Sequence, residues 1–593
     1  MLLLLGLSSS HPTSQDWHHA QVPLSSHLYQ QGPHSQYGAS TTHGAVASES
    51  HICSSIGVSL LRSGGNAVDA MIGTTLCVGV IGMYHSGIGG GGFMLVREPS
   101  GIYHSIDFRE TAPAAASEDM YYGNIPGSIE GGLSVGVPGE IRGFEYIHSR
   151  WGKLPWRDIF APAVEIARDG FEVGEDLVRY MEYAVAGREG NFLLNDPNWA
   201  QDFAPTGRLV RRGEMMTRKR YAKTLENIGE LGPDSFYKGY LAEGMVQTAR
   251  AANGSITLED LRNYKVVVKP ALNITYRGLN LFATASPSSG AVTLSTLKTM
   301  EQYDLSDWST HPALSIHRFN EAMRFGYGAR AELGDPDFVP LVGDLEAEML
   351  DETGAQWRRS QILDSKTQPV SHYMRPCHPP YSLPSSHGTS HIVATDHSGL
   401  TLTLTTTINL LFGARIMNPS SGIILNDEMN DFSIPHISNE FGFPPSPANF
   451  IRPGKRPLSS ITPIIASFPN GTLFFATGAA GGSRIVSSTT QVAWHIVEHG
   501  DTLTEALRRP RLHDQLIPDM TSVEYKFNND TVCELKKRGH NVVWVREGYS
   551  AVQAVGWLPG ATSQSGDDGD GKERGAFIAV GEPRQKDSGG LIC

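Results

Sequence analysis

Long apolar runs are missing from this 593-residue chain: no stretch of 18 or more apolar residues occurs, so no membrane-spanning helix is expected. Cysteine is scarce, with Cys53, Cys77, Cys377, Cys533 and Cys593 the only five, and this excludes a fold built on disulfides. None of them has CxxC or Cys/His metal-ligand spacing, so no zinc site is expected. Positive charge is in deficit, 48 Lys and Arg against 61 Asp and Glu. A net charge of -13 argues against a nucleic-acid binder, which needs a basic face, and gives no help in approaching an anionic membrane. There is no internal repeat of fixed period.

What is present reads as a globular enzyme-sized chain. Hydrophobic residues make up 40% and charged residues 18%, while 64 glycines and 35 prolines imply many turns. The apolar start Met1–Leu7 lacks a positively charged flank and is too short for a span. Residues 1–40 are rich in Ser, His, Gln and Gly and are expected to be disordered or to serve targeting, with order beginning near Ala45. Four sequons, at Asn253, Asn273, Asn470 and Asn529, tilt the balance toward secretion.

Along the chain, Val46–Met83 carries helical spacing interrupted at Ser63–Asn66. The glycine run Gly87–Gly92 is a weak nucleotide-like signal and reads as close packing or a wall near the site. Residues 140–335 look mostly helical, with Trp156–Ala167, Tyr221–Ile228 and Leu314–Phe325 as examples. Residues 355–388 read as an exposed linker. Beyond it, His391–Thr395 and Thr401–Thr405 alternate as strands around an Asp396–Gly399 turn. Ser459–Ser467 and Thr472–Ala476 read as strands, Thr489–His499 as a helix, and Ser563–Gly571 as a polar loop. Helices flanking strands in both halves suggest a layered α/β fold with one shared core.

At the mouth of the first of these strands stands Gly388-Thr389-Ser390-His391. A Thr after a Gly is by itself a turn residue. The following strand places Thr403, Thr405, Thr407 and Asn409 on one face, because strand side chains alternate with period two. Unaided, Arg109 beside Asp107 and Glu110 reads as a surface ion pair, Glu428 and Asp431 as a solvated turn, and Gly478–Gly482 as a plain loop. His387 and His391 flanking Thr389 are read as incidental.

Taken in order, these motifs resemble the γ-glutamyltransferases, also called glutathione hydrolases. The resemblance rests on Thr389-Ser-His, Thr405-Thr-Thr-Ile-Asn409, Ser421–Phe432, Pro457-Leu-Ser459-Ser460-Ile-Thr-Pro463 and Gly478–Arg484. Upstream, Gly64–Asp69, Asp107–Pro113 and Val137–Glu140 extend it, so that it covers about residues 45–585. It implies a four-layer αββα N-terminal-nucleophile fold, made as a precursor and cut between Gly388 and Thr389 into segments 41–388 and 389–593 that share one domain. It further implies Thr389 as nucleophile, Thr407 as its helper, and Gly481 and Gly482 as oxyanion donors. Arg109, Ser459 and Ser460 would take the substrate α-carboxylate, and Asn409, Glu428 and Asp431 its α-ammonium. The implied substrates are glutathione and other γ-glutamyl compounds, with water, an amino acid or a dipeptide as acceptor. No cofactor and no metal are implied. Cys53 and Cys77 fall where eukaryotic members carry a disulfide; two buried thiols remain the alternative. The implied setting is the secretory pathway, whether secreted, vacuolar or membrane-associated.

Overall fold

The computed structural model describes residues 43–188, 190–375, 380–381, 388–437, 444–559 and 575–593. The expected disorder of residues 1–40, His387 and the loop at 563–571 lie outside these residues. Before residue 388 the main strands are β1 (Gly44–Ser48), β2 (Gly91–Arg97), β3 (Tyr103–Asp107), β4 (Val267–Pro270), β5 (Leu272–Tyr276) and β6 (Leu279–Ala283). After it come β7 (Ser390–Asp396), β8 (Thr401–Thr407), β9 (Ile464–Ser467), β10 (Leu473–Ala480), β11 (Ala551–Pro559), β12 (Gly575–Val580) and β13 (Gly589–Ile592). They form a seven-stranded sheet in the order β13-β1-β7-β8-β2-β3-β4 and a six-stranded sheet in the order β12-β11-β10-β9-β6-β5. Both sheets therefore interleave strands from either side of the 388–389 bond.

Helices cover the outer faces. On the first sheet lie α1 (His51–Arg62), α2 (Ala67–Ile81), α3 (Glu140–Trp151), α4 (Trp156–Asp169) and α5 (Lys219–Leu231), packed with Ile392, Ala394, Leu402 and Leu404 in one core. On the second lie α6 (Gly290–Met300), α7 (Pro312–Arg330) and α8 (Arg484–His499), packed with Leu281, Ile464 and Phe475. Between the sheets a smaller core holds Ala45, Leu95, Val393, Ile465, Ala476 and Val555. This is the αββα sandwich. The period-two reading of β7 and β8 holds at atomic level: Thr403 and Thr405 hydrogen-bond His391 on the inter-sheet face, while Leu402 and Leu404 face the helices.

The β7–β8 hairpin is set by its turn. Asp396 accepts from Ser398 N at 2.8 Å, Gly399 takes a positive φ of 84°, and the second Asp396 oxygen accepts Ala67 N at 2.9 Å, tying the turn to the start of α2. β8 pairs with β2 from Thr401 opposite Arg97 to Thr407 opposite Gly91. The glycine run before β2 is close packing, as a Cβ on Gly90 would lie 2.0 Å from Thr407 O. A disulfide joins Cys53 in α1 to Cys77 in α2, with Cα atoms 5.3 Å apart. All four sequon asparagines are exposed.

Several boundaries differ from the sequence reading. Val46 belongs to β1, whose five residues are buried throughout, so no alternation marks it as a strand. The region read as mostly helical contains β4, β5 and β6. The Ser459–Ser467 strand shortens to β9, because Ser459 N turns aside to donate to Pro287 O at 2.8 Å. The supposed exposed linker begins inside a helix, Glu352–Gln361, where buried Arg358 donates to Thr299 Oγ1 at 2.8 Å.

Beneath β8 sits a buried carboxyl whose charge state is testable. Thr406 Oγ1 donates to Glu140 Oε2, and burial, with Glu110 adding to it, pushes the Glu140 carboxyl from its ordinary 4.5 up to about 8. A raised carboxyl contributes stability that is complete below pH 4.5 and is lost as pH rises through about 8. Glu140→Gln should therefore leave Tm nearly unchanged at pH 5 and raise it by about 2–4 °C at pH 9. An equal shift at both pH values in thermal melts would show that Glu140 is not held neutral.

Candidate active site at Thr389

Thr389 is the residue before β7, at the end where β8 stops at Thr407. Its hydroxyl donates to the carbonyl of Gly388, the residue it follows, and Thr407 Oγ1 donates to the same carbonyl at 2.8 Å. Gly388 has no room for a side chain: a Cβ would lie 2.3 Å from Asn409 O. Thr407 Oγ1 also accepts Asn409 N at 2.7 Å, which holds Asn409 at a φ of 70°. Asparagine tolerates that left-handed conformation better than most residues. Asn409 Nδ2 then donates to Asp427 O at 3.0 Å, so the end of β8 is locked to the Asp427–Asp431 turn.

That turn is not solvated. Glu428 is 1% exposed, and it and Asp431 form ion pairs with the two terminal nitrogens of Arg109, itself buried. Nor is Arg109 a surface pair with its sequence neighbours: Asp107 accepts its backbone N–H and pairs instead with Arg456 at 3.2 Å. Burial pulls the Arg109 guanidinium down, but Glu428 and Asp431 hold it above its ordinary value. Burial pushes Glu110 up to about 7, and pushes Glu428 and Asp427 well above the usual carboxylate range. Glu110, Glu428 and Asp431 surround Arg109, and Asp427 lies beside them, so the carboxyls outnumber the guanidinium. Among the described residues, buried Asn409 Oδ1 and Asp427 Oδ2 have no hydrogen-bond partner. Unused acceptors in a buried acidic pocket suit an ammonium group.

The segment leading to Ser459 and Ser460 is tied to this turn through a residue the sequence did not mark. Asn449 Nδ2 donates to Asp431 O at 2.7 Å, and its Oδ1 accepts Leu458 N at 2.9 Å, clamping the two segments together. Ser459 Oγ accepts Ile461 N at 3.2 Å. Gly481 and Gly482 close β10 and lead into α8, with φ of 125° and 59°. A side chain at Gly481 would meet Tyr549 O at 2.4 Å. β10 crosses β7 at Gly478, where a Cβ would lie 2.4 Å from His391 Cε1. Asp427, Glu110, Asn449 and Arg330 were all missed in the sequence. The first two adjoin identified residues, and nothing local marks the others.

Among the described residues, one group has donor atoms placed to hold a cation: His317, Glu321 and His540, within 4.8 Å of one another. Each is already engaged. His317 Nε2 donates to Leu363 O at 2.9 Å, which leaves its Nδ1 to accept from His540 Nε2 at 2.7 Å, and Glu321 accepts from Thr367 and Tyr373. Burial pulls His317 down to about 4 and His540 to about 3, so a chain of neutral imidazoles accounts for the cluster.

The sequence comparison decides the family. The gamma-glutamyltranspeptidase profile matches residues 53–588. The chain belongs to the γ-glutamyltranspeptidase family. It is 47% identical over 562 residues to the glutathione hydrolase proenzyme of Arthroderma benhamiae, covering 93% of this chain and 92% of that one. It is 35% identical over 520 residues to the glutathione hydrolase proenzyme of Escherichia coli, covering 86% and 88%. In fold it is similar to a cephalosporin acylase from Bacillus halodurans, with a TM-score of 0.79 at 23% identity over 95% of this chain and 98% of that one. As a γ-glutamyltranspeptidase it has no described helix long and apolar enough to cross a membrane.

Proposed function

We propose that the chain cuts itself between Gly388 and Thr389 and then acts as a glutathione hydrolase and γ-glutamyltransferase through an acyl-Thr389 intermediate. The observation that carries this reading is the pair of threonine hydroxyls on the Gly388 carbonyl, set beside the Arg109 pocket. In the precursor, Thr389 Oγ attacks that carbonyl while Thr407 polarises it, and the resulting ester is hydrolysed. The cut frees the Thr389 α-amine, whose pKa near ~8 lets it take the hydroxyl proton in later turnovers. The γ-glutamyl carbonyl is then attacked, its oxyanion accepting the N–H groups of Gly481 and Gly482. The amine leaves with a proton, and water or an acceptor amine releases glutamate or a new γ-glutamyl compound.

The α-carboxylate is read by Arg109, Ser459 and Ser460, and the α-ammonium by Asn409, Glu428 and Asp431. Two cut segments remain one heterodimer, since each sheet takes strands from both. The Cys53–Cys77 disulfide and the exposed sequons support passage through the secretory pathway. The test is release of nitroaniline from γ-glutamyl-p-nitroanilide by the matured protein, with and without glycylglycine. We expect release in both cases and acceleration by the dipeptide. A cut chain that turns over neither this donor nor glutathione would sink the reading.

A further inference from the structure

A second buried guanidinium lies next to the pocket. Arg330 ends α7 and is 5% exposed. Among the described residues its contacts are all to hydroxyls: Nε donates to Ser289 Oγ at 2.8 Å and Nη2 to Ser460 Oγ at 3.0 Å. Burial pulls Arg330 down; Asp431 favours its charge and Arg109 opposes it, so the two cations act on one another. The same helix fastens the oxyanion segment, because Tyr327 OH donates to Ser483 O at 2.7 Å. Arg330, Tyr327 and Ser483 all line one cleft.

The direction of the protons follows from these contacts. A guanidinium only donates, so both serine oxygens must accept from it. Ser289 spends its own proton on Ser459 O at 2.5 Å. Ser460 donates to no acceptor among the described residues, so its proton is left for a ligand. A buried cation with no carboxylate hydrogen-bond partner among the described residues, next to a hydroxyl with a proton to give and a second cation, is an arrangement that an incoming anion relieves.

We propose that Arg330 is a positioning residue for the γ-glutamyl donor: it fixes the Ser460 hydroxyl as a donor to the α-carboxylate and adds a second cation to that end of the pocket. This rests on the donor reading above. It separates the two ends of the amino-acid head chemically, with Arg109, Arg330 and the serines at the carboxylate and the acidic turn at the ammonium.

The test is a double-mutant cycle in the full chain, with Arg330→Met, Ser460→Ala and both together, each matured form assayed on γ-glutamyl-p-nitroanilide. Arg330→Met should raise KM about 10–30-fold and change kcat less than about 3-fold, and Ser460→Ala should raise KM about 5–10-fold. The double variant should be no worse than Arg330→Met alone, because Ser460 contributes only while Arg330 holds its hydroxyl in place. Multiplying effects, or a lower kcat at unchanged KM, would overturn the proposal. If Arg330→Met does not mature, Arg330→Lys keeps the charge but not the two-hydroxyl fork; there KM should still rise, and a wild-type KM would overturn the proposal. A matured wild-type chain that releases no nitroaniline removes the donor reading and this proposal with it, whereas a Ser460→Ala effect without an Arg330 effect removes this proposal alone.

Discussion

Thr389→Ala should give a folded chain that never separates into two segments and has no measurable γ-glutamyl transfer. One side chain carries both outcomes. In the precursor the Thr389 hydroxyl already contacts the carbonyl it is to attack, and alanine removes the only atom that performs the attack. Loss of a nucleophile of this kind costs on the order of 10⁴–10⁶ in rate, which for self-cleavage means an uncut chain on any practical timescale. Folding should survive, because the Thr389 side chain contributes one hydroxyl to a site otherwise held by Thr407, Asn409 and Asp427. Denaturing gels should show one full-length band, with a Tm within about 2 °C of an uncut reference. Two bands, or residual nitroaniline release above about 1% of wild type, would mean that another group is the nucleophile. Thr407→Val makes a contrast. It takes one donor from the Gly388 carbonyl and the anchor from Asn409 N, but leaves the nucleophile, so maturation should slow by about 10–100-fold and still reach completion.

The parts of this molecule that were legible in its sequence were local. The β7–β8 hairpin showed its period and its turn, and helices such as α4 and α5 showed their apolar stripes. β1 did not, because a strand buried on both faces has no alternation to display. β4, β5 and β6 lay hidden in a helical neighbourhood for want of any long-range signal. At the candidate site, ordered motifs single out Thr389, Thr407 and Arg109, but not the surroundings in which the fold places them. Arg109 read alone is a surface charge among acidic neighbours, and only the return of the chain more than three hundred residues later places Glu428 and Asp431 against it. Arg330 shows the same limit. It is one arginine at the end of a helix, and its meaning depends on two serines from other segments.

Arg109→Met should be the most damaging change outside the nucleophile, and its damage should depend on pH in a set direction. The variant keeps the stem volume and deletes the cation that pairs with Glu428 and Asp431. Breaking a buried pair from one side costs about 3–5 kcal/mol, because the partner carboxylates are left uncompensated. Without Arg109 the Glu428 and Glu110 carboxyls rise further, so the folded state holds protons that the unfolded chain has released, and stability falls as pH rises. The deficit against wild type should therefore be larger at pH 8 than at pH 5. Equal deficits at the two pH values would mean that the pocket carboxyls are not ionised against Arg109. Donor recognition should fall with it: KM for γ-glutamyl-p-nitroanilide should rise at least about 100-fold, through loss of a charge-assisted, two-pronged contact to the α-carboxylate. Arg109→Lys separates the two effects. A single ammonium keeps the charge balance but cannot face Glu428, Asp431 and a carboxylate in one plane. It should restore most of the stability and leave KM about 10–30-fold high. A lysine variant with wild-type KM would move carboxylate recognition away from Arg109 and onto Ser459, Ser460 and Arg330.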